Sequence, residues 1–189
     1  KPLAESRIEV HIAANALEWF GEEGRRAYGR VIPNRMGTTR FMVVKEPVGP
    51  VAAFSAWNFP LDNAARKIGA ALAAGCPVIY KPAEEVPSSA LAVLKALIDA
   101  GLPPGVVSYV FGVPAQISEY LIASPVIRKI SFTGSVAVGK HLMKLAANGM
   151  KRTTMELGGH APVLVFDDAD FDAALEQSVL RKFRNAGQV

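Results

Sequence analysis

The sequence predicts a doubly wound α/β fold, in which helices cover both faces of a largely parallel β-sheet. From Phe41 onward, short apolar runs alternate with longer amphipathic runs, the pattern of alternating strands and helices. Most of the short runs are nearly continuously apolar, which is typical of parallel strands buried on both faces. With 189 residues, half of them hydrophobic, the chain is long enough to bury a substantial core.

The chain opens with a helical pattern in a leading segment, residues 1–31. Apolar residues recur there among charged ones at near-helical spacing: Ile8, Ile12, Leu17, Trp19 and Phe20. This spacing predicts one or two leading helices, which glycines at 21, 24 and 29 close. The stretch "VIPNRMGTTR" that follows is a predicted loop because of its Pro, Asn and Gly content.

The alternating runs after that loop predict the remaining elements, and residues 32–189 form one predicted domain. The predicted strands are "FMVVKEPVG", "VAAFSAW", "PVIYKPA", "VVSYVFG", "RKISFTG", "KRTTMELG" and "PVLVFDD". The predicted helices are "NAARKIGAALAAG", "PSSALAVLKALIDAG", "AQISEYLIAS", "AVGKHLMKLAANG" and "DFDAALEQSVLRKF". The second of these helices has Pro and Ser at its start and Gly101 past its end, as helix boundaries favour.

Composition disfavours several classes of partner. The 21 basic and 17 acidic residues give a net charge of +4, but no basic stripe is interleaved with aromatic residues, so no nucleic-acid partner is expected. No apolar stretch approaches a membrane span and the first residues lack the core of a signal peptide, which predicts no membrane partner and a cytoplasmic location. The only cysteine is Cys76, which excludes a disulfide framework and offers no metal-ligand cluster.

The junctions where strands end carry the functional signal, because ligands of such sheets bind beyond the carboxyl ends of the strands. There are five: "SAWNFP", "YKPAEE", "SFTGSVAVG", "MELGGH" and the terminal "FRNAGQV". Each alone is compatible with an ordinary turn or a solvated charge. Together and in this order, from about Phe41 to Val189, they resemble the NAD(P)-dependent aldehyde dehydrogenase superfamily, with succinate-semialdehyde dehydrogenases nearest. The resemblance implies a Rossmann-like NAD-binding domain over residues 32–189.

The terminal motif resembles the family's loop F-x-N-x-G-Q-x-C, whose cysteine is the catalytic nucleophile. Val189 matches the residue before that cysteine. We therefore expect a fragment that runs up to the start of the catalytic domain, lacks that domain, and is inactive alone.

Two residues match the family's other catalytic groups. Asn58 matches the asparagine whose side-chain amide donates to the oxyanion formed when the thiolate attacks the aldehyde. Glu156, followed by Gly158 and Gly159, matches the general base that activates water to hydrolyse the thioester. The alternatives are a turn-forming Asn and an exposed Glu.

The resemblance also implies a divided cofactor site. Lys81 and Glu84 match residues that bind the adenine ribose, and the Glu84 carboxylate favours NAD over NADP because it would repel a 2′-phosphate. Gly134 and Ser135 match the turn that approaches the pyrophosphate at a helix N-terminus. Trp57 is expected to line the nicotinamide side, with packing in the core as an equal alternative.

Two arginines predict the substrate class. Arg66 and Arg184 match arginines with which succinate-semialdehyde dehydrogenases hold the distal carboxylate, and paired guanidinium groups suit that role. The alternative is that both arginines lie at the surface or in salt bridges. Succinate semialdehyde is the expected substrate, followed by glutarate and 2-oxoglutarate semialdehydes.

The leading hypothesis is therefore oxidation of a carboxylate-bearing semialdehyde to the acid, by a parent enzyme that is a homodimer or homotetramer. The alternative is a truncated nucleotide-binding or structural remnant without catalysis. A third interpretation, an acyl-phosphate or acyl-CoA reductase of related fold, is disfavoured by Glu156, because those enzymes generally lack this general base.

Overall fold

The computed structural model describes residues 1–189 and has helices on both sides of a parallel sheet. The helices are α1 (Leu3–Arg25), α2 (Pro60–Ala73), α3 (Pro87–Asp99), α4 (Pro114–Ala123), α5 (Val136–Ala147) and α6 (Phe171–Phe183), followed by a 3₁₀ turn, Arg184–Gly187. The strands are β1 (Arg30–Pro33), β2 (Arg40–Val43), β3 (Val51–Phe54), β4 (Val78–Lys81), β5 (Val107–Tyr109), β6 (Lys129–Gly134) and β7 (Arg152–Leu157). No helix combines the length and the hydropathy needed to cross a lipid bilayer.

Five parallel strands form the main sheet, in the order β5-β4-β3-β6-β7. The chain runs from β3 outward through β4 to β5, and then returns to place β6 against the other side of β3. Phe54 at the end of β3 is in register with Lys81 of β4 and with Phe132 of β6. The direction of winding therefore reverses between β3 and β6, which confirms the predicted doubly wound fold and creates the crevice where such sheets bind ligands.

The central strand β3 is buried on both faces. Val51 and Ala53 face a core formed with α2 and α3, whereas Ala52 and Phe54 face a core formed with α4 and α5. All four residues are buried. This explains why the strand is continuously apolar in sequence, since neither face meets water.

The leading segment forms a single helix, α1, which packs along α2. Where the two helices approach, a Cβ at Gly24 would lie 3.1 Å from the carbonyl oxygen of Ala73, and one at Gly69 would lie 2.9 Å from Cδ2 of Phe20. Glycines thus permit the close contact. The helix continues through Gly21 and Gly24 to Arg25, so the first two of the three predicted closing glycines lie inside it.

The predicted loop "VIPNRMGTTR" is in part a β-hairpin. Strands β1 and β2 pair antiparallel, with Arg30 opposite Val43 and Pro33 opposite Arg40. At the tip, the Asn34 side chain bonds to Thr38 and Thr39, so the Asn and Gly residues that indicated a loop form only its turn. Every residue of both strands is exposed. The predicted strand "FMVVKEPVG" is confirmed at Phe41–Val43 in β2, although residues 44–49 have no regular secondary structure, whereas β1 lies largely in the predicted loop.

The predicted strand "PVLVFDD" is wrong. Residues 160–166 have no regular secondary structure, and Val163, Leu164, Val165 and Phe166 are exposed. The sheet ends at β7, and no strand of this chain pairs with the segment. An apolar run alone cannot form a strand without a neighbour to take its backbone hydrogen bonds.

Candidate functional site

The predicted site residues converge on the carboxyl edge of the parallel sheet. Asn58 follows β3, Lys81 ends β4, Gly134 ends β6 and Glu156 lies near the end of β7. The terminal segment containing Arg184 folds back onto the same edge. One edge of the sheet thus receives residues from all five motifs.

Asn58 is held directly against the terminal segment. Its side-chain Nδ2 donates to the carbonyl oxygen of Gln188 at 3.0 Å, and its backbone oxygen accepts from Nδ2 of Asn185 at 3.0 Å. Asn185 is buried and has a positive φ of 52°, and its backbone N–H donates to Glu5 of α1 at 2.8 Å. The motif asparagine therefore presents its amide donor to the loop that resembles the nucleophile loop.

Trp57, next to Asn58, does not belong to the core. Its relative exposure is 44%, so the core-packing alternative is wrong. An exposed indole beside the loop remains free to contact a ligand.

A cavity of about 620 Å³ lies beside α2, over the face of β6 and β7 that α4 and α5 leave uncovered. Its polar lining comprises Asp62, Asn63, Arg66, Lys67, Lys129, Ser131, Thr133, Thr154 and Glu156. Glu156 is in register with Thr133 across β6 and β7. The predicted base and one predicted substrate arginine therefore share a cavity.

Lys67 is the functional candidate that the sequence analysis missed. It is buried, and its Nζ donates to Oγ of Ser131 at 3.2 Å. Burial lowers the pKa of Lys67 to about 8, partly opposed by the negative charge of Glu156 and reinforced by Lys129. An amine with that pKa exists in both protonation states near neutral pH, so it can hold or release a proton within the cavity of Glu156.

A signal for Lys67 was present in the sequence. It lies three residues after Ala64 and four before Ala71, both buried on the core face of α2. A charge on an apolar helical stripe must be buried with it, and such charges cluster at functional sites.

Lys81 and Glu84 form an ion pair through Lys81 Nζ and Glu84 Oε1. The Lys81 side chain is buried, and its Nζ also donates to the carbonyl oxygen of Pro82 at 3.0 Å. Glu84 is exposed. The buried ammonium thus holds an exposed carboxylate just beyond β4, where its oxygens can accept hydrogen bonds from a bound ribose.

Ser135 is the N-cap of α5, and its Oγ accepts from the backbone N–H of Val138 at 3.3 Å. This cap sits directly after Gly134, at the end of β6 beside the reversal point of the sheet. A Cβ at Gly139, one turn into α5, would lie 2.6 Å from Cδ2 of Leu157, so the helix lies tightly against the end of β7. The free amides of the first turn of α5 suit a diphosphate.

The structure does not bring the two arginines into one cavity. Arg66 lines the cavity, but its Nε donates to both carboxylate oxygens of Asp62, at 2.8 and 2.9 Å. The guanidinium carbon of Arg184 lies 5.5 Å from the centroid of the Phe59 ring, and Arg184 is absent from the cavity lining. Arg66 is thus salt-bridged, as the alternative for it supposed.

Comparisons with known proteins show which family this chain resembles. The model of the aldehyde dehydrogenase family matches residues 1–189. Over 188 residues the chain is 57% identical to 4-(hydroxymethyl)benzenesulfonate dehydrogenase TsaD1 of Comamonas testosteroni, and 48% identical to the succinate-semialdehyde dehydrogenase [NADP(+)] GabD of Escherichia coli K12. Each alignment covers 100% of this chain and 39% of the relative.

The solved structure of succinate-semialdehyde dehydrogenase from Burkholderia pseudomallei superposes with a TM-score of 0.97 at 51% identity, again over 100% of this chain and 39% of that one. The chain thus spans about 39% of the length of the relatives it matches. From the fold, the edge of the sheet and these similarities together, the chain belongs to the aldehyde dehydrogenase family.

Proposed function

We propose that the protein containing this sequence oxidises an aldehyde with an anionic group at its far end, using NAD, and that residues 32–189 bind the cofactor. The observation that carries this proposal is the bond from Nδ2 of Asn58 to Gln188, at 3.0 Å. It aims a neutral amide donor at the loop that, in the family, carries the nucleophilic thiolate. Such a donor stabilises an oxyanion without titrating.

The residues of this chain divide the chemistry between them. Asn58 donates to the oxygen that gains charge when a thiolate adds to the aldehyde. Glu156 takes a proton from the water that hydrolyses the thioester, and Lys67 holds or releases a proton within the same cavity. The nicotinamide, when bound, supplies the hydride acceptor.

Cofactor binding is assigned to the reversal point of the sheet. Ser135 and Gly134 present the first amides of α5 to the diphosphate, Lys81 and Glu84 hold the adenine ribose, and Trp57 lines the nicotinamide side. The GabD relative is named as an NADP enzyme. The exposed carboxylate of Glu84 supports NAD for this chain, because it would repel a 2′-phosphate.

The substrate proposed first is succinate semialdehyde, with glutarate and 2-oxoglutarate semialdehydes next. Arg66 supports it from within the cavity: 60% of its side chain is exposed although Nε is paired with Asp62, and a guanidinium has further donors for a carboxylate. Arg184 is the second arginine proposed to contact the substrate, and its guanidinium lies over the Phe59 ring. We also propose that the full-length protein is a cytoplasmic homodimer or homotetramer.

An arylsulfonate substrate is the second candidate. It is favoured by the 57% identity to 4-(hydroxymethyl)benzenesulfonate dehydrogenase TsaD1, above the 48% to GabD. A sulfonate carries the same single negative charge as a carboxylate and accepts similar guanidinium hydrogen bonds. The two candidates therefore share a requirement for an anionic tail and differ in the bulk between tail and aldehyde.

The test is NAD reduction by the full-length protein with succinate semialdehyde, glutarate semialdehyde, 4-formylbenzenesulfonate and uncharged butanal. We expect kcat/KM for the preferred anionic aldehyde to exceed that for butanal by about 100-fold, as for a lost charge-assisted pair. Arg66→Met removes the charge and should reduce this ratio, whereas Arg66→Lys retains part of it. Equal rates with butanal would contradict the anionic tail, and no oxidation of any aldehyde would favour the non-catalytic remnant.

A further inference from the structure

Glu9 is a buried carboxylate that connects α1 to the segment carrying Asn58. Its relative exposure is 3%. Its Oε1 accepts from the backbone N–H groups of Leu61, at 2.8 Å, and Asp62, at 3.3 Å. These amides belong to the first turn of α2, whose own N-cap residue, Phe59, makes no side-chain capping bond. Glu9 thus caps α2 from a different helix.

The second oxygen of Glu9 reaches Asn58 through one cation. Glu9 Oε2 pairs with Nζ of Lys1, and the same Nζ donates to the backbone oxygen of Asn58 at 2.8 Å. The ammonium also lies 4.0 Å from the centroid of the Phe59 ring. One carboxylate is therefore linked to both ends of the stretch from Asn58 to Asp62.

Burial makes these links mutually dependent. A carboxylate removed from water must be paired and hydrogen-bonded, and removing it leaves its partners uncompensated. Without Glu9, the amides of Leu61 and Asp62 lose their acceptor and Lys1 loses its counter-ion. The backbone oxygen of Asn58 then depends on a Lys1 ammonium without its counter-ion and on Asn185, which shares its Nδ2 with the Gln188 oxygen at 3.0 Å.

We propose that Glu9 is a positioning residue for Asn58, because its contacts with α2 and Lys1 hold the Asn58 backbone so that the side-chain amide meets the oxyanion. The proposal rests on the proposed function of Asn58. A displacement of about 1 Å at a catalytic group can cost about 100-fold in rate. Since Lys81 and Ser135 lie on β4 and at α5, away from this connection, cofactor binding is expected to survive the loss of Glu9.

The test is a double-mutant cycle in the full-length protein, with Glu9→Ala, Asn58→Ala and the double variant. We expect Glu9→Ala to lower kcat by at least about 10-fold, with KM for NAD changed less than about 2-fold. In the Asn58→Ala background, the same change should alter kcat by less than about 2-fold, because Glu9 acts through the missing amide. Glu18→Ala is the matched control, an exposed carboxylate on the same helix, and should leave kcat unchanged.

A general structural role predicts a different pattern. It would lower kcat by the same factor in both backgrounds, and that result overturns the proposal, as does an unchanged kcat in Glu9→Ala. Should Glu9→Ala fail to fold, Glu9→Gln takes its place in the cycle, because its amide oxygen can still accept from Leu61 while the ion pair to Lys1 is lost.

A readout independent of activity separates this inference from the proposed function. Backbone hydrogen exchange over residues 58–63 should be faster in Glu9→Ala, or in its Gln replacement, than in wild type and Glu18→Ala. If the wild type oxidises no aldehyde yet this difference is seen, the proposed function fails while the positioning contact stands. Unchanged exchange in this segment overturns the positioning role itself.

Discussion

Asn58 and Gln188 are 130 positions apart in the chain, yet the side-chain amide of Asn58 donates to the carbonyl oxygen of Gln188 at 3.0 Å. This bond joins the loop after β3 to the final segment. It also shows how the amide is oriented, with a donor hydrogen facing a carbonyl oxygen. The same orientation suits an oxyanion, whose greater charge makes the bond stronger.

The first prediction concerns the loss of the Asn58 amide and the effect of a negative charge in its place. Asn58→Ala removes the donor and should lower kcat by about 100- to 1000-fold, the range measured for oxyanion donors. Asn58→Asp is nearly the same size but places negative charge beside the developing oxyanion, so its loss should be at least as large. Steady-state kinetics on the full-length protein measure both. A kcat for Asn58→Asp close to wild type would mean that the amide does not face the reacting oxygen.

The second prediction concerns the buried amine of Lys67. Its pKa falls from 10.5 to about 8 because burial disfavours the charged form. Between these values the unfolded chain binds the proton and the folded chain does not, so stability rises with pH. The rise should be about 1.5 kcal/mol between pH 8 and 9.5, because the slope approaches about 1.4 kcal/mol for each pH unit only above the folded-state pKa.

Urea unfolding from pH 7 to 9.5 measures this dependence, with Lys67→Met as the comparison because it keeps an apolar stem without the charge. The variant should lose most of the rise. The series stops at pH 9.5 so that tyrosine ionisation does not contribute. Burial raises the pKa of Tyr80 to about 12 and also raises that of Tyr109, so stability falls once the tyrosines of the unfolded chain ionise. A wild-type stability that is flat up to pH 9.5 would contradict a buried, proton-releasing Lys67.

The third prediction compares two glycines of α1. A Cβ at Gly21 would meet no atom within 4 Å, whereas one at Gly24 would lie 3.1 Å from the carbonyl oxygen of Ala73. Gly21→Ala should stabilise the chain by about 1 kcal/mol through helix propensity alone. Gly24→Ala gains the same propensity but presses on the backbone of α2, and overpacking costs about 1–3 kcal/mol. Thermal and urea unfolding should therefore rank Gly21→Ala above wild type and Gly24→Ala at or below it; equal stabilisation would mean that α1 does not pack closely on α2.

The sequence predicted the sheet and its winding well, because buried parallel strands such as Val51–Phe54 leave an unmistakable apolar run. Prediction from the sequence was wrong in segments whose apolar side chains are not buried. Strand β1 is exposed on every residue and lies largely in the predicted loop, and the exposed run at Val163–Phe166 has no neighbouring strand of this chain, so neither outcome follows from local hydropathy.

The residues of the candidate site also divide into those that the sequence marks and those that only the packing reveals. Motif residues such as Asn58 and Glu156 could be proposed from the sequence because short ordered motifs mark them. Glu9 could not be assigned, since its importance depends on what α1 and α2 bury between them, whereas Lys67 was marked only by its place on the buried apolar stripe of α2. A carboxylate on a charged helix such as α1 is indistinguishable from a solvated one until its partner amides, Leu61 and Asp62, are placed beside it.

The final prediction concerns the choice between NAD and NADP at Glu84. The buried Lys81 ammonium is paired with the exposed Glu84 carboxylate, so the carboxylate is both held in place and partly neutralised. Glu84→Ser removes the repulsion toward a 2′-phosphate and frees the Lys81 donor to bind that phosphate. We expect the ratio of kcat/KM for NADP to that for NAD to rise by at least about 10-fold, equivalent to about 1.4 kcal/mol.

Glu85→Ser is the matched control, because Glu85 is the adjacent exposed carboxylate and forms no ion pair with Lys81. It removes the same formal charge one position further along the loop. If long-range charge alone governs the choice, the two variants should shift the ratio equally. A shift confined to Glu84→Ser shows instead that the ribose meets the carboxylate held by Lys81, whereas no shift in either variant would contradict the assignment of this pair to the adenine ribose.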